Sequence, residues 1–485
     1  MSMTGASFNF GHTAPPPVDA ASADRRNAFV FVGVVTAALV ALQAPNAQTG
    51  LALAAGAAAL ISTRMAIGAL IVVMILRLAN PGLVAGSGAF EIFAWGAVML
   101  ACGRILLDAL MSRGQALSRL PAFFLPYAAV LLTVSVLFSQ VRDVSLFKAI
   151  SFTTVTAAVT LGFAQLRAQG RPASSWIKGL WLAVVVLSVP TFVIPSIGFL
   201  RDGQGFQGVL NHPQGFAVFL APVVAWSAVQ AFSAEGRGRA VVIGLFLISF
   251  GSLWLTRGRT GLAAIVLAGL ALLLLRPGFF KTAAALALRA LSKSWVMAGF
   301  VLLIPLVVWK APEMVAAVQE FLLKGSGADA VTGAAAASRG FIADQQILNF
   351  QSSPIFGIGF GVSNSATHAL NVVIDPVTGL PVGAATEKAN LVLAVLEETG
   401  IVGALAFLPF FLALILRLAR TESLAVAWAA LAALGTNVSE MTFFSMGGIG
   451  LYTWLIMGWA LSEARKAPRR SPTFGRIGGV AARTP

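Results

Sequence analysis

From residue 27 to residue 463 the chain repeats one pattern, a long apolar run, a short polar break and another apolar run. A helix rising 1.5 Å per residue needs ~20 apolar residues to cross a hydrocarbon layer ~30 Å thick. Runs that approach this length lie at 27–43, 50–62, 65–78, 90–107, 120–138, 147–166, 176–195, 213–232, 240–256, 260–275, 294–310, 389–417, 423–441 and 448–463. In lipid every backbone polar group must be satisfied internally, which leaves helices as the solution for such runs. The expected fold class is therefore all-α, a polytopic transmembrane helical bundle of about 12–14 spans. One long periplasmic loop containing short helices completes it. The second and third runs are short for a bilayer and can form one broken hairpin. A length of 485 residues would otherwise suggest several soluble domains, but 58% of them are hydrophobic and only 11% charged. Soluble domains carry about 25% charged residues.

The basic residues give an orientation. Of 33 Lys and Arg, all but ten fall in alternate breaks and in the two tails, which the positive-inside rule places in the cytoplasm. Both termini are then cytoplasmic. The ten exceptions are Arg77, Arg142, Lys148, Arg201, Arg257, Arg259, Lys310, Lys324, Arg339 and Lys388. Several stand at helix ends on the outer side, where clustered positive charge suggests an anionic ligand. The net charge of +15 reflects this topology and not a nucleic-acid-binding face. The expected organisation is a disordered tail over 1–26, helices over 27–310, a periplasmic loop domain over 311–388, helices over 389–463 and a basic tail over 464–485. The first tail holds Pro15, Pro16 and Pro17 and lacks the basic-then-apolar order of a cleavable signal. Cys102 is the single cysteine, so no intramolecular disulfide forms.

The loop over 311–388 is long enough to be functional. Within it Pro312 to Leu323 is amphipathic, Ser338 to Phe350 carries helix-spaced apolar residues, and Pro354-Ile-Phe-Gly-Ile-Gly-Phe-Gly361 is a glycine-rich turn. A dinucleotide-binding turn would need a preceding strand in a βαβ unit, which is absent from this pattern. A tight bend where a periplasmic helix re-enters the membrane is the simpler reading.

Four pieces of the C-terminal half, taken in order, resemble the O-antigen ligase and O-antigen polymerase superfamily of bacterial cell-surface glycan assembly. They are Asn211-His-Pro-Gln-Gly215, Leu255-Thr-Arg-Gly-Arg-Thr-Gly-Leu262, Ser338-Arg339 with the glycine-rich turn, and Asn390 followed at nine residues by Gly400-Ile-Val-Gly403. The resemblance implies transfer of a glycan from a polyprenyl pyrophosphate carrier to an acceptor sugar hydroxyl, outside the cytoplasmic membrane of a bacterium. It implies as partners the polyprenyl-pyrophosphate-linked glycan, membrane lipid, and a chain-length regulator or export complex, with no cofactor and no metal. The ligases of the family begin the last of these motifs with histidine, and this chain has Ala389 there. That departure favours a polymerase over a ligase joining glycan to lipid A–core. A solute transporter is the reading from another class, although no repeat relates the two halves and polar residues gather at the outer boundary.

Pyrophosphate is already a good leaving group, so the site must supply positive charge and orient the attacking hydroxyl. Arginine meets phosphate oxygens in bidentate fashion. The expected pyrophosphate-binding residues are Arg259 and Arg339, with Arg257 and Lys388 as secondary charges. For acceptor activation the candidates are Glu387 or His368, with Asn390 alongside. His212, Arg201 and Glu398 are expected to line the substrate. Glu398 would lie deep on a helix beginning near Glu387, paired with a buried arginine or capping a break at Gly400.

Overall fold

A computed structural model describes residues 46–84, 89–112, 119–170, 174–200, 205–234, 236–291, 331–362, 372–374, 381–384, 388 and 390–464, with isolated residues between 33 and 44 and between 310 and 319. The architecture is an all-α bundle. Its helices are α1 (Ala47–Ala59), α2 (Thr63–Leu78), α3 (Phe90–Met111), α4 (Phe124–Leu137), α5 (Arg142–Ala168), α6 (Ser174–Ser188) and α7 (Pro213–Ser233). There follow α8 (Gly236–Leu255), α9 (Arg259–Leu275), α10 (Phe279–Leu291), α11 (Val331–Ser352), α12 (Leu391–Ala419), α13 (Leu424–Gly435) and α14 (Ile449–Ser462). Six described segments, among them α3, α5, α7 and α12, are long and apolar enough to cross a membrane by length and composition. The runs expected at 27–43 and 294–310 lie mostly or wholly outside the described residues. Each of the other expected runs contains a helix. The two short ones form an antiparallel helical hairpin, α1 and α2, turned at Leu60 to Ser62, where the Ser62 hydroxyl caps α2 by accepting from Met65 N–H at 3.2 Å.

Apolar side chains face outward in a way no water-soluble surface tolerates. Val266 is 61% exposed, Leu274 82% and Leu405 68%, and they stand on helices whose opposite faces are buried. Such a belt is suited to lipid. The chain is a multi-pass membrane protein. The interior is aromatic: Phe152, Phe360, Phe407, Phe410, Phe443, Phe444 and Trp454 interlock with ring centroids 5.0 to 6.3 Å apart, largely edge to face. Some buried polar groups pair with one another: Trp181 donates to the Tyr452 hydroxyl at 2.8 Å and that hydroxyl donates to the Phe219 carbonyl at 2.7 Å.

Polar contacts segregate to the two ends of the bundle. At one end Thr63 donates to Asp108 at 2.6 Å, Arg167 pairs with Glu422 at 3.0 Å, Arg276 donates to the Thr421 carbonyl at 2.8 Å, and Arg417 donates to that of Leu120 at 3.0 Å. At the other end Asn80 donates to the carbonyls of Ile197 and Gly208, and Arg77 donates to that of Gly447 at 2.8 Å. Thr260 and Ser439 share a 2.5 Å hydrogen bond at that same end. Every residue in the second group belongs to a segment that the charge pattern assigns to the outer side.

The long loop contains α11, which extends the helix expected at Ser338 to Phe350 by two turns at its start. It also contains a feature the all-helical expectation omits, an antiparallel hairpin of Val372–Ile374 and Pro381–Ala384 with Val372 opposite Ala384. Three successive β-branched residues, Val372, Val373 and Ile374, explain the strand. The amphipathic stretch Pro312 to Leu323 lies largely outside the described residues.

Candidate functional site

Helix α12 begins at Leu391, where Asn390 takes extended backbone and its side-chain oxygen accepts from Leu393 N–H at 2.9 Å. The expected start near Glu387 is thus four residues early. The cap at Asn390 places Glu398 about two turns from the start of α12. The helix breaks at Gly400, with φ 61° and ψ −163°, a conformation open to glycine alone. The glycine-rich turn fills that break. In an unbroken helix the N–H groups of Ile401 and Val402 would bond the carbonyls of Glu397 and Glu398. Instead the Ile401 N–H donates to the Pro354 carbonyl at 2.9 Å and the Val402 N–H to that of Ile355 at 3.1 Å. The Glu397 carbonyl accepts from Ile358 N–H at 2.9 Å and the Glu398 carbonyl from Gly359 N–H at 3.1 Å. Residues 354–359 thus stand in for one turn of helix and leave these four backbone groups satisfied, as membrane depth requires. The glycines permit the approach: a Cβ on Gly357 would lie 2.4 Å from the Glu398 carbonyl carbon, and one on Gly359 2.1 Å from the Ser139 hydroxyl. The Phe356 ring stacks on Phe138, and Gln140 N–H donates to the Ile358 carbonyl at 3.0 Å, fastening the turn to the end of α4.

Beneath the turn lies a buried charge cluster. Lys388 Nζ donates to Glu397 Oε2 at 2.5 Å and to the Val362 carbonyl at 2.9 Å, and lies 3.7 Å from Glu398 Oε1. From α5, Lys148 Nζ reaches Glu398 Oε1 at 3.2 Å and sits over the Phe360 ring at 5.0 Å. From α11, Gln346 donates to Glu397 Oε2 at 3.0 Å and Asn349 to Glu397 Oε1 at 2.7 Å. Two lysines balance two carboxylates, so these four charges cancel. Glu397 and Glu398 are fully buried, and Lys388 is 7% exposed. Glu398, expected to pair with a buried arginine and to line the substrate, instead has Lys148 and Lys388 as partners, and its side chain is fully buried.

The Arg257-Gly258-Arg259 turn joins α8 to α9 at the same end. Arg257 is exposed and takes a left-handed backbone, φ 53°, which non-glycine residues adopt rarely. Thr256 fixes the turn, its hydroxyl accepting from Gly258 N–H at 3.0 Å. A Cβ at Gly258 would lie 2.3 Å from that of Ala217, so glycine lets the turn press against α7. Arg259, half-buried, opens α9. The neighbouring helix α7 starts beside it: His212 caps α7, its Nδ1 accepting from Gln214 N–H at 3.1 Å, and its ring is exposed. Three of the four sequence pieces singled out above therefore begin helices at one end of the bundle, and the fourth is the turn inserted into α12.

Arg339 stands on α11, and its side chain is outside the described set, as are Glu387, His368, Arg201 and Ala389 altogether. Sequence reasoning did not single out Glu397, Gln346 and Asn349, and it noted Lys148 only as a misplaced positive charge. The signal for them was present: two adjacent carboxylates on an apolar helix demand buried partners, and Gln346 and Asn349 share a helical face at a three-residue spacing. Among the described residues no group of histidine, cysteine and carboxylate side chains could hold a metal ion.

These observations define a polytopic helical membrane protein whose polar, motif-bearing end is organised around a broken helix and an arginine turn. Residues 244–408 match the family model described as O-antigen ligase, which supports the O-antigen ligase and polymerase superfamily for this chain. The matched segment runs from within α8 to within α12, past the break at Gly400, and contains the arginine turn, α11, the glycine-rich turn and every member of the charge cluster except Lys148. No curated protein matches the chain.

Proposed function

We propose that this protein is a membrane glycosyltransferase of the polymerase type, acting at the bundle end that carries the arginine turn. It transfers oligosaccharide repeat units from a polyprenyl pyrophosphate carrier to the hydroxyl of an acceptor sugar. The observation that carries this reading is the match of residues 244–408 to the O-antigen ligase model, with the arginine turn and the break at Gly400 together inside it. In the reaction an acceptor oxygen bonds to the anomeric carbon, the bond from that carbon to phosphate breaks, and polyprenyl pyrophosphate departs with the bonding pair. Arg257, Arg259 and Arg339 bind the pyrophosphate through paired N–H donors, countering the charge that builds on it. The hydroxyl proton passes to Glu387 or His368. Asn390 holds the start of α12 and sets the direction of the chain that precedes it. His212 caps α7 at the same end, and it and Arg201 are assigned to the saccharide.

The orientation from basic residues makes that end periplasmic and both termini cytoplasmic, in the inner membrane of a bacterium. A ligase using lipid A–core as acceptor is the second reading, favoured by the description of the matching model and opposed by Ala389 in the histidine position. The test uses purified protein in vesicles with lipid-linked saccharide extracted from host membranes, with and without lipid A–core. A ladder of lengthening saccharides without lipid A–core supports the polymerase. Product formed only with lipid A–core establishes the ligase, and no product with either removes glycan transfer.

A further inference from the structure

The charge cluster under the glycine-rich turn joins three segments that are far apart in sequence. Glu397 is its centre: Oε1 accepts from Asn349, and Oε2 accepts from both Gln346 and Lys388. Gln346 and Asn349 sit one turn apart on α11, so both amides grip that helix on one face. Seven residues before Gln346, two turns and about 10 Å along the same helix, is Arg339. Lys388 precedes by two residues the Asn390 cap of α12, and its second bond, to the Val362 carbonyl, holds the exit of the glycine-rich turn. Lys148 anchors the set to α5 through Glu398.

We infer that Glu397 and Lys388 are positioning residues: together they clamp α11 to α12 and so fix Arg339 relative to the end of the bundle. The inference rests on the transfer reaction proposed above and assigns Lys388 a different task from a phosphate-binding charge. Three facts point to it. Both oxygens of Glu397 are occupied, so neither is offered to a substrate proton. Lys388 is buried, and its ammonium already holds a carboxylate and a carbonyl. The cluster also ties the only described helix of the long loop that contains an arginine to the helix broken at Gly400. Buried hydrogen-bonded ion pairs add little stability over apolar packing, and in some proteins they specify one arrangement against alternatives. A helix held by side-chain amides and one carboxylate would otherwise slide or turn on its neighbour.

The experiment separates position from chemistry. Spin labels are placed at D344C on α11 and V392C on α12, both exposed positions outside the cluster, and the distance between them is measured by pulsed electron paramagnetic resonance. The native Cys102 is buried and does not compete for label. The parent should give one narrow distance distribution. Glu397→Gln, which leaves Lys388 facing an uncharged amide, should broaden or shift it. Without the labels, Glu397→Gln should lower kcat about a hundredfold with KM changed less than about threefold, as expected when a group is displaced by an ångström or so. The double variant Glu397→Gln with Lys388→Met removes both charges at once. It should narrow the distribution again and recover at least about tenfold in kcat, because a neutral interface can repack. A narrow, unshifted distribution in Glu397→Gln overturns the inference, whether or not kcat falls. So does a double variant that regains the distance without regaining turnover, since that makes the carboxylate itself a reactant. Should Glu397→Gln fail to accumulate, Asn349→Leu breaks one tie to α11 while sparing the ion pair, and must broaden the distribution for the clamp to stand. A parent that turns over no lipid-linked saccharide refutes the proposed reaction, and the distance measurements still judge the clamp by themselves.

Discussion

Substituting Gly400 by alanine is the sharpest challenge to the interlock between the glycine-rich turn and α12. Its φ of 61° and ψ of −163° lie where side-chain-bearing residues are strained by about 1–3 kcal/mol. A Cβ there would also lie 2.4 Å from the carbonyl carbon and oxygen of Ile355, which are backbone atoms and cannot rotate away. The turn must retreat, and the bonds from Ile401 to Pro354 and from Val402 to Ile355 go with it. Each donor left unsatisfied away from water costs about 1–3 kcal/mol. Taking the middle of these ranges, the substitution costs about 6 kcal/mol, a large share of the ~5–15 kcal/mol that holds a typical fold together. The assay is thermal melting of the detergent-solubilised protein followed by fluorescence-detected size exclusion. Gly96→Ala and Gly244→Ala serve as controls, because a Cβ at either position meets nothing within 4 Å. Gly400→Ala should melt many degrees below the parent or fail to accumulate, while both controls melt beside it. A Gly400→Ala protein that melts with the controls and keeps its activity would show that the turn does not replace the helix bonds as described.

The other glycines of the turn should rank by what a new Cβ meets: Gly357→Ala, which strikes the backbone at Glu398, should lower the melting temperature more than Gly361→Ala, which strikes the flexible Lys148 side chain. Arg259→Ala and Arg257→Ala should each reduce transfer about a hundredfold, equivalent to ~3 kcal/mol, with normal accumulation, and Arg259→Lys should recover little because an ammonium lacks the planar fork; product yield from lipid-linked saccharide reads this. Glu387→Gln should reduce product more than His368→Ala, and a complete loss in His368→Ala beside normal activity in Glu387→Gln would hand the proton to the histidine. Reporter fusions within 276–293 should score cytoplasmic and those within 310–388 periplasmic, and the opposite result inverts the orientation taken from the basic residues.

The helical bundle was legible because hydropathy acts locally: each run that crosses must be apolar along its own length, and twelve of the fourteen expected runs contain a described helix. The break at Gly400 was legible for the same reason, as a glycine in an apolar helix beside two carboxylates. What occupies the break was not. That the carbonyls of Glu397 and Glu398 turn to Ile358 and Gly359 depends on residues about forty positions apart meeting in space, and no periodicity encodes such a pairing. The start of α12 was misplaced because Glu387 and Lys388 look like first-turn residues, whereas the cap is the less conspicuous Asn390. Lys148 was visible only as a positive charge on the wrong side, and its partner Glu398 lies 250 residues on. The cost of burying a carboxylate predicted that a cation would come, without saying from where.

The inserted turn also orders the biogenesis of the protein. Residues 354–359 leave the ribosome before α12 does, so the segment that completes the helix is made before the helix it completes. If α12 is broken at Gly400 before the turn docks, the N–H groups of Ile401 and Val402 lack acceptors, and the break closes only when the turn stands at the matching end of the bundle. Integration of this crossing is thus conditional on an earlier piece of chain having arrived. A nascent protein with the loop stranded would hold an unfinished crossing, which is what membrane quality control is built to detect.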